Sequence, residues 1–179
     1  MKKNIPRWQL AGFLFTGISG TFLHFLFDLT GGSLPAALIS AVNESIWEHM
    51  KLLFYPMVIF ALIEYRSWEK DMPGFWWAKL TGILVGLTLI PTLYYTYTGI
   101  LGVSADWFNI TIFFLAALAA YFLETKLLQS NRRCPVPEPA AIVVLILIAA
   151  CFTVFTFLPP RIPFFRDPVT GTYGFPPNS

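Results

Sequence analysis

Charge is scarce in this chain. Asp, Glu, Lys and Arg make up 12% of its 179 residues, against 56% hydrophobic ones. An ordinary soluble domain of this size needs a better solvated surface than that. Cysteine is as sparse: Cys134 and Cys151 provide no disulfide framework. One is expected in a loop and the other inside an apolar run, so a bond between them is disfavoured on geometric grounds. There is no basic stripe either. The 12 Lys and Arg residues gather near the ends of apolar runs, which argues against a nucleic-acid partner. The first apolar run ends without a small-residue cleavage pattern, so it reads as an uncleaved transmembrane helix rather than a signal peptide.

What remains is apolar sequence in about five blocks, and the fold class it predicts is an all-α polytopic membrane bundle of about five transmembrane helices. The spans are expected at about 8–29, 36–65, 76–98, 107–125 and 140–158, within a single transmembrane domain over 1–158. Thr30-Gly31-Gly32-Ser33 closes the first span, and Pro56 is a kink candidate in the second. The segment 159–179 is too rich in Pro and Gly for a sixth helix and is expected along the outer surface, with Phe164 and Phe165 at the lipid boundary. A cytoplasmic N-terminus puts Lys2, Lys3, Arg7, Arg66, Lys70, Lys79, Lys126, Arg132 and Arg133 inside and leaves Lys51, Arg161 and Arg166 outside, a nine-to-three split. The positive-inside rule therefore orients the chain N-inside and C-outside. Trp8, Trp68, Trp76, Trp77 and Trp107 fall near the expected interfaces, and Trp47 does not. Gly82 and Gly86 form a small-residue pair whose ordinary meaning is helix packing within one subunit; oligomerisation stays open.

One polar segment interrupts this pattern: Asn43-Glu44-Ser45-Ile46-Trp47-Glu48-His49-Met50-Lys51. The purely apolar stretch after Lys51 ends near Ile63 and spans roughly 18 Å as a helix, whereas a hydrocarbon core needs about 30 Å. If the second span is one helix, it must reach back to about Ser45, and the polar segment then lies in the outer half of the membrane; if residues 36–51 form a separate short helix or re-entrant segment, the polar run lies at the outer interface instead. Helix rise puts His24 roughly 21 Å up the first span and His49 roughly 22 Å above Glu64, so the two histidines can converge. Asp28 lies one turn beyond His24, and Glu44 and Glu48 share a face with His49 and Lys51 beside them. Buried charge of this kind must be paired, neutralised or directed into a cavity.

Tyr94, Tyr95 and Tyr97 can supply another wall, although interfacial tyrosines are ordinarily anchors. Asp106 reads first as a helix cap and Asn109 follows it. Glu64 and Glu124, near Arg66 and Lys126, read as surface pairs at the cytoplasmic interface. His24, Asp28, Glu44, Glu48 and His49 form a candidate ligand set for a divalent metal. A structural polar network and a proton or small-ligand site are the competing readings. The pattern is not the His-Glu-x-x-His of zinc proteases.

The run from Asn43 to Pro56 resembles a motif, Asn-Glu-Ser-x-Trp-Glu-His-x-Lys, of an uncharacterised family of small multi-pass bacterial membrane proteins. His24 to Asp28, Tyr94-Tyr95-Thr96-Tyr97-Thr98-Gly99, and Asp167-Pro168-Val169-Thr170-Gly171 with Tyr173-Gly174 are similar too. The resemblance covers most of the chain and implies a bacterial cell-membrane location, but no activity.

The leading functional expectation is a membrane protein with a small-ligand or cation site opening to the extracytoplasmic side, its partners being the lipid bilayer and that ligand. A metal-dependent hydrolase would use Glu44 or Glu48 as general base and needs a water-accessible opening beside Glu48 and His49. Proton-coupled transport would need a polar path past Thr81 or Thr88 to the inside. A structural or signalling subunit would show a fully paired network.

Overall fold

The computed structural model describes residues 4–67, 72–130 and 137–175. Lys2, Lys3, Trp68, Lys70, Arg132, Arg133 and Cys134, used above in reading orientation, interfaces and cysteine chemistry, lie outside them. Among the described residues six α-helices follow in order: α1 Ile5–Leu29, α2 Leu34–Ile39, α3 Ile46–Ser67, α4 Phe75–Leu101, α5 Asp106–Ser130 and α6 Glu138–Phe157. All but α2 are long and apolar enough to cross a membrane.

The punctuation of the sequence accounts for the boundaries. Pro occupies the first turn of α1, α2 and α6, where its missing N–H costs no hydrogen bond. After Thr30 the chain turns through Gly31 and Gly32, both at positive φ, which a side chain would strain. The second apolar region, expected over 36–65, takes the alternative of a separate short segment. It is two helices: α2 ends at Ser40, whose backbone is extended, and the chain is not helical again until Ile46.

α4 packs most extensively on α5; α1 lies against α3 and α5, and α6 against α4. Gly82 allows the close approach of α4 to α5, and Gly86 makes room for Leu53 of α3. A Cβ on Gly82 would meet the Glu124 side chain, and one on Gly86 would come within 2.5 Å of Leu53. Facing them, Ala116, Ala117 and Ala120 are fully buried. The small-residue pair thus packs helices within one chain.

Lys79 of α4 is buried within this bundle, 1% exposed. Its ammonium pairs with Glu124 of α5 at 2.6 Å and with Glu64 of α3. Gln9 of α1 donates to Glu64 at 2.6 Å and accepts from Lys79 at 3.5 Å. A neighbouring hydrogen bond joins Thr16 of α1 to Tyr121 of α5 at 2.8 Å. Glu64 and Glu124 are 0% and 1% exposed, which overturns their reading as surface pairs with Arg66 and Lys126. Lys79 likewise leaves the set of surface cations.

Removing the cation alone strands two buried carboxylates. Lys79→Met is expected to lower stability by about 3–5 kcal/mol. The triple variant Lys79→Met, Glu64→Gln, Glu124→Gln should recover most of that loss in denaturant titrations of the detergent-solubilised protein. A triple variant no more stable than Lys79→Met would show that the network contributes more than charge balance.

Candidate functional site

The break between α2 and α3 shapes the site. Three polar side chains stabilise the break itself. Lys51 extends its ammonium to the Ala37 carbonyl of α2 at 2.8 Å, to Thr156 of α6 at 3.0 Å and to Glu48 at 2.5 Å. Glu48 accepts the Val42 N–H at 3.2 Å and the Thr156 hydroxyl at 2.7 Å. Asn43 accepts the Ser45 N–H at 2.9 Å and donates to the Gly174 carbonyl at 2.9 Å. Backbone groups that the interrupted helix cannot satisfy are satisfied here, as burial requires.

Glu48 and Lys51 therefore belong to a closed structural network. Both oxygens of Glu48 are engaged, so it is neither a ligand beside the histidines nor a free general base. The expected opening lies beside His49 and not beside Glu48.

Trp47, the residue that fitted no interface, is stacked among Phe152, Phe155, Phe164 and Phe165 at centroid distances of 4.8 to 5.8 Å. This corrects the expected place of Phe165 at the lipid boundary. Phe165 is 6% exposed and packs inward. Asp167 folds the following residues into a turn by accepting the N–H groups of Val169 at 2.7 Å and Thr170 at 3.3 Å and the Thr170 hydroxyl at 2.8 Å. Gly171 and Gly174 supply positive φ, and Phe175 donates its N–H to Thr156 at 2.8 Å.

Glu44 points the other way from Glu48. Its carboxylate lies 3.4 Å from His49 Nε2 and 3.9 Å from His24 Nε2, and the two imidazole centroids are 5.3 Å apart. One ligand atom from each residue lies within 4.8 Å of the others. The Glu44 side chain is 48% exposed and the histidines about 30%, so the cluster is open on one side. His49 Nδ1 is 2.9 Å from the Ser45 carbonyl. A carbonyl only accepts, so Nδ1 carries a proton, and Nε2 faces Glu44. His24 Nδ1 has no hydrogen-bond partner among the described residues, and its ring is held by packing on Phe25 and His49.

The cluster sits in a pocket of about 670 Å³, within the range of small-molecule sites. Ser104, Asp106 and Asn109 add polar groups. Leu52, Ile90, Ile110, Ile112, Phe113 and Phe114 supply apolar wall, and Pro168 and Val169 of the tail turn reach the edge. Asp28 is exposed and outside the cluster, as is Glu48. Tyr94 lines the pocket. Tyr95 is 42% exposed, and Tyr97 is buried in a loop network with Asn109 at 2.5 Å and Ser104 at 3.2 Å. Thr81 and Thr88 both donate to carbonyls of their own helix.

A family model described as Family of unknown function (DUF6512) matches residues 1–175. The chain belongs to that family. At this level the match agrees with the resemblance to an uncharacterised family. No curated protein and no solved structure matches this DUF6512 chain, so its site must be read from its own residues.

The two acidic residues four apart provide a direct test. Glu48→Gln leaves the Lys51 ammonium uncompensated and is expected to cost about 3–5 kcal/mol. Glu44→Gln, half-exposed, should change stability by no more than about 0.5 kcal/mol. Unfolding curves for both variants in one detergent give the comparison; equal losses would contradict the division between a structural and a site carboxylate.

Proposed function

We propose that this DUF6512 protein is an integral membrane protein that binds a divalent transition metal through His24, Glu44 and His49. The site faces a pocket on the extracytoplasmic side of a bacterial cell membrane. The five long apolar helices support membrane insertion. Orientation rests on basic residues. Taking buried Lys79 from the inner count and buried Lys51 from the outer leaves eight against two, still N-inside.

The observation that carries the metal reading is the facing of lone pairs. With His49 Nδ1 protonated against Ser45, the neutral ring would present its Nε2 lone pair to a Glu44 oxygen 3.4 Å away, leaving two acceptors face to face. A cation between them satisfies both. Metal bonds of about 2.0–2.2 Å in a tetrahedral arrangement separate neighbouring ligand atoms by about 3.3 Å, close to that distance. His24 supplies the third donor. Two imidazolium ions at this separation would repel, whereas one divalent ion meets all three donors at a single centre. The Ser45 carbonyl behind His49 is the kind of outer partner that fixes a ligating tautomer. Two imidazoles and one carboxylate suit zinc and its neighbours better than calcium or magnesium, which prefer all-oxygen sites. Three protein ligands leave a further position for water or a ligand oxygen.

Elemental analysis of protein purified without chelator, or reloaded with zinc, is expected to give about one equivalent. His49→Ala and Glu44→Ala should abolish it, while Asp28→Ala retains it. An Asp28→Ala loss equal to that of His49→Ala, or no uptake by the wild type, would remove this reading.

The pH dependence has a definite sign. Imidazole must be neutral to ligate, so protons compete with the metal and affinity falls as pH drops. With two histidines the loss approaches about 100-fold per pH unit on the acid side. Zinc titrations at several pH values check this; binding that tightens toward acid would point to imidazolium–carboxylate pairs instead.

A further inference from the structure

The pocket has two kinds of lining. His24, Glu44 and His49 gather at one place, Ser104, Asp106 and Asn109 add further polar groups, and much of the remaining wall is aliphatic or aromatic. A ligand that satisfies both must itself be amphipathic, because an apolar group against the polar groups or a polar group against the apolar wall loses free energy.

The opening bears on where that ligand comes from. Phe25 of α1 and Ile110 and Phe114 of α5 line the pocket, yet they are 53%, 59% and 38% exposed. They continue a surface on which Leu14, Ile18 and Phe22 of α1 and Leu118 and Phe122 of α5 are also exposed. In a membrane protein that surface faces acyl chains, and it runs up to the pocket rim at Phe25 and Ile110, while α1 and α5 stay in contact where Gly17 and Gly20 meet Phe114 and Phe113. The tail turn at Pro168 and Val169 borders it from another side.

We propose that the pocket takes a single-chain amphipath from the outer leaflet, which enters over the exposed rim formed by Phe25 of α1 and Ile110 of α5. Its chain lies along Leu52, Ile90 and Phe113, and a carbonyl or carboxylate oxygen of its head group meets the His24–Glu44–His49 centre. The ligand class deepens the metal-site reading and rests on it for the head group; the chain's place rests on the pocket alone. A cavity of about 670 Å³ is matched to one chain and a compact head.

The test uses a diazirine-bearing palmitic acid analogue as photocrosslinking probe on the full-length protein in nanodiscs, with zinc or with chelator, and maps adducts by peptide mass spectrometry. The expected result is adducts concentrated at Ile90 and Phe113, competed by unlabelled palmitate and increased at least threefold by zinc. Ile110→Trp, a substitution at an exposed site that narrows the entrance without disturbing the core, should lower pocket labelling at least fivefold. Adducts spread evenly over the exposed faces of the helices and unchanged by Ile110→Trp would overturn the proposal, as would displacement by a two-chain phosphatidylcholine but not by palmitate.

Failure of the metal reading has a different signature. Zinc is then not taken up, and pocket labelling persists unchanged by chelator, which overturns the head-group contact while the chain's place stands. Stoichiometric zinc with diffuse labelling is failure of the ligand proposal alone.

Discussion

A buried ammonium among apolar helices is tolerable only if anions surround it, and Lys79 is surrounded by the side chains of three other helices. Glu64 comes from α3, Glu124 from α5 and Gln9 from α1. Helices that could slide along one another on purely apolar contacts are held in one axial register, because any slip separates charges from which water is excluded. The close approach of α4 and α5 at Gly82, three residues on from Lys79, belongs to the same device: the Glu124 side chain passes through the space a Cβ would occupy.

A second buried pair solves a different problem. An interrupted span exposes backbone donors and acceptors that lipid cannot satisfy. Lys51 covers an α2 carbonyl, Glu48 covers a loop N–H, and Thr156 brings α6 into both contacts. The interruption is therefore stable, and it has a chemical consequence. It releases Asn43, Glu44 and Ser45 from helical geometry, so Glu44 reaches His24 and the Ser45 carbonyl sets the tautomer of His49. Stability and chemistry are divided between two carboxylates four residues apart.

The tail takes part in the same assembly. Asp167 closes a turn, Trp47 receives Phe165, and Gly174 meets Asn43. A segment rich in Pro and Gly serves here as a fitted cover that links the break in the second region to the end of α6 and brings Pro168 and Val169 to the pocket.

Composition and hydropathy by themselves determined the all-helical class and the five long apolar helices, since a span's length and apolarity are local properties of the chain. Axial rise along two neighbouring helices was enough to bring His24 and His49 to the same depth. Local sequence could not decide which of two adjacent acids meets them. Glu44 and Glu48 look alike at helical spacing, and only the break at Ser40 to Ser45 turns one toward the histidines and the other toward Lys51. Glu64, Lys79 and Glu124 lie a turn or two from helix ends, where sequence suggests solvent; their burial depends on how α1, α3, α4 and α5 converge there. Pairings across 45 to 105 residues are set by packing, and periodicity within a single helix carries no record of them.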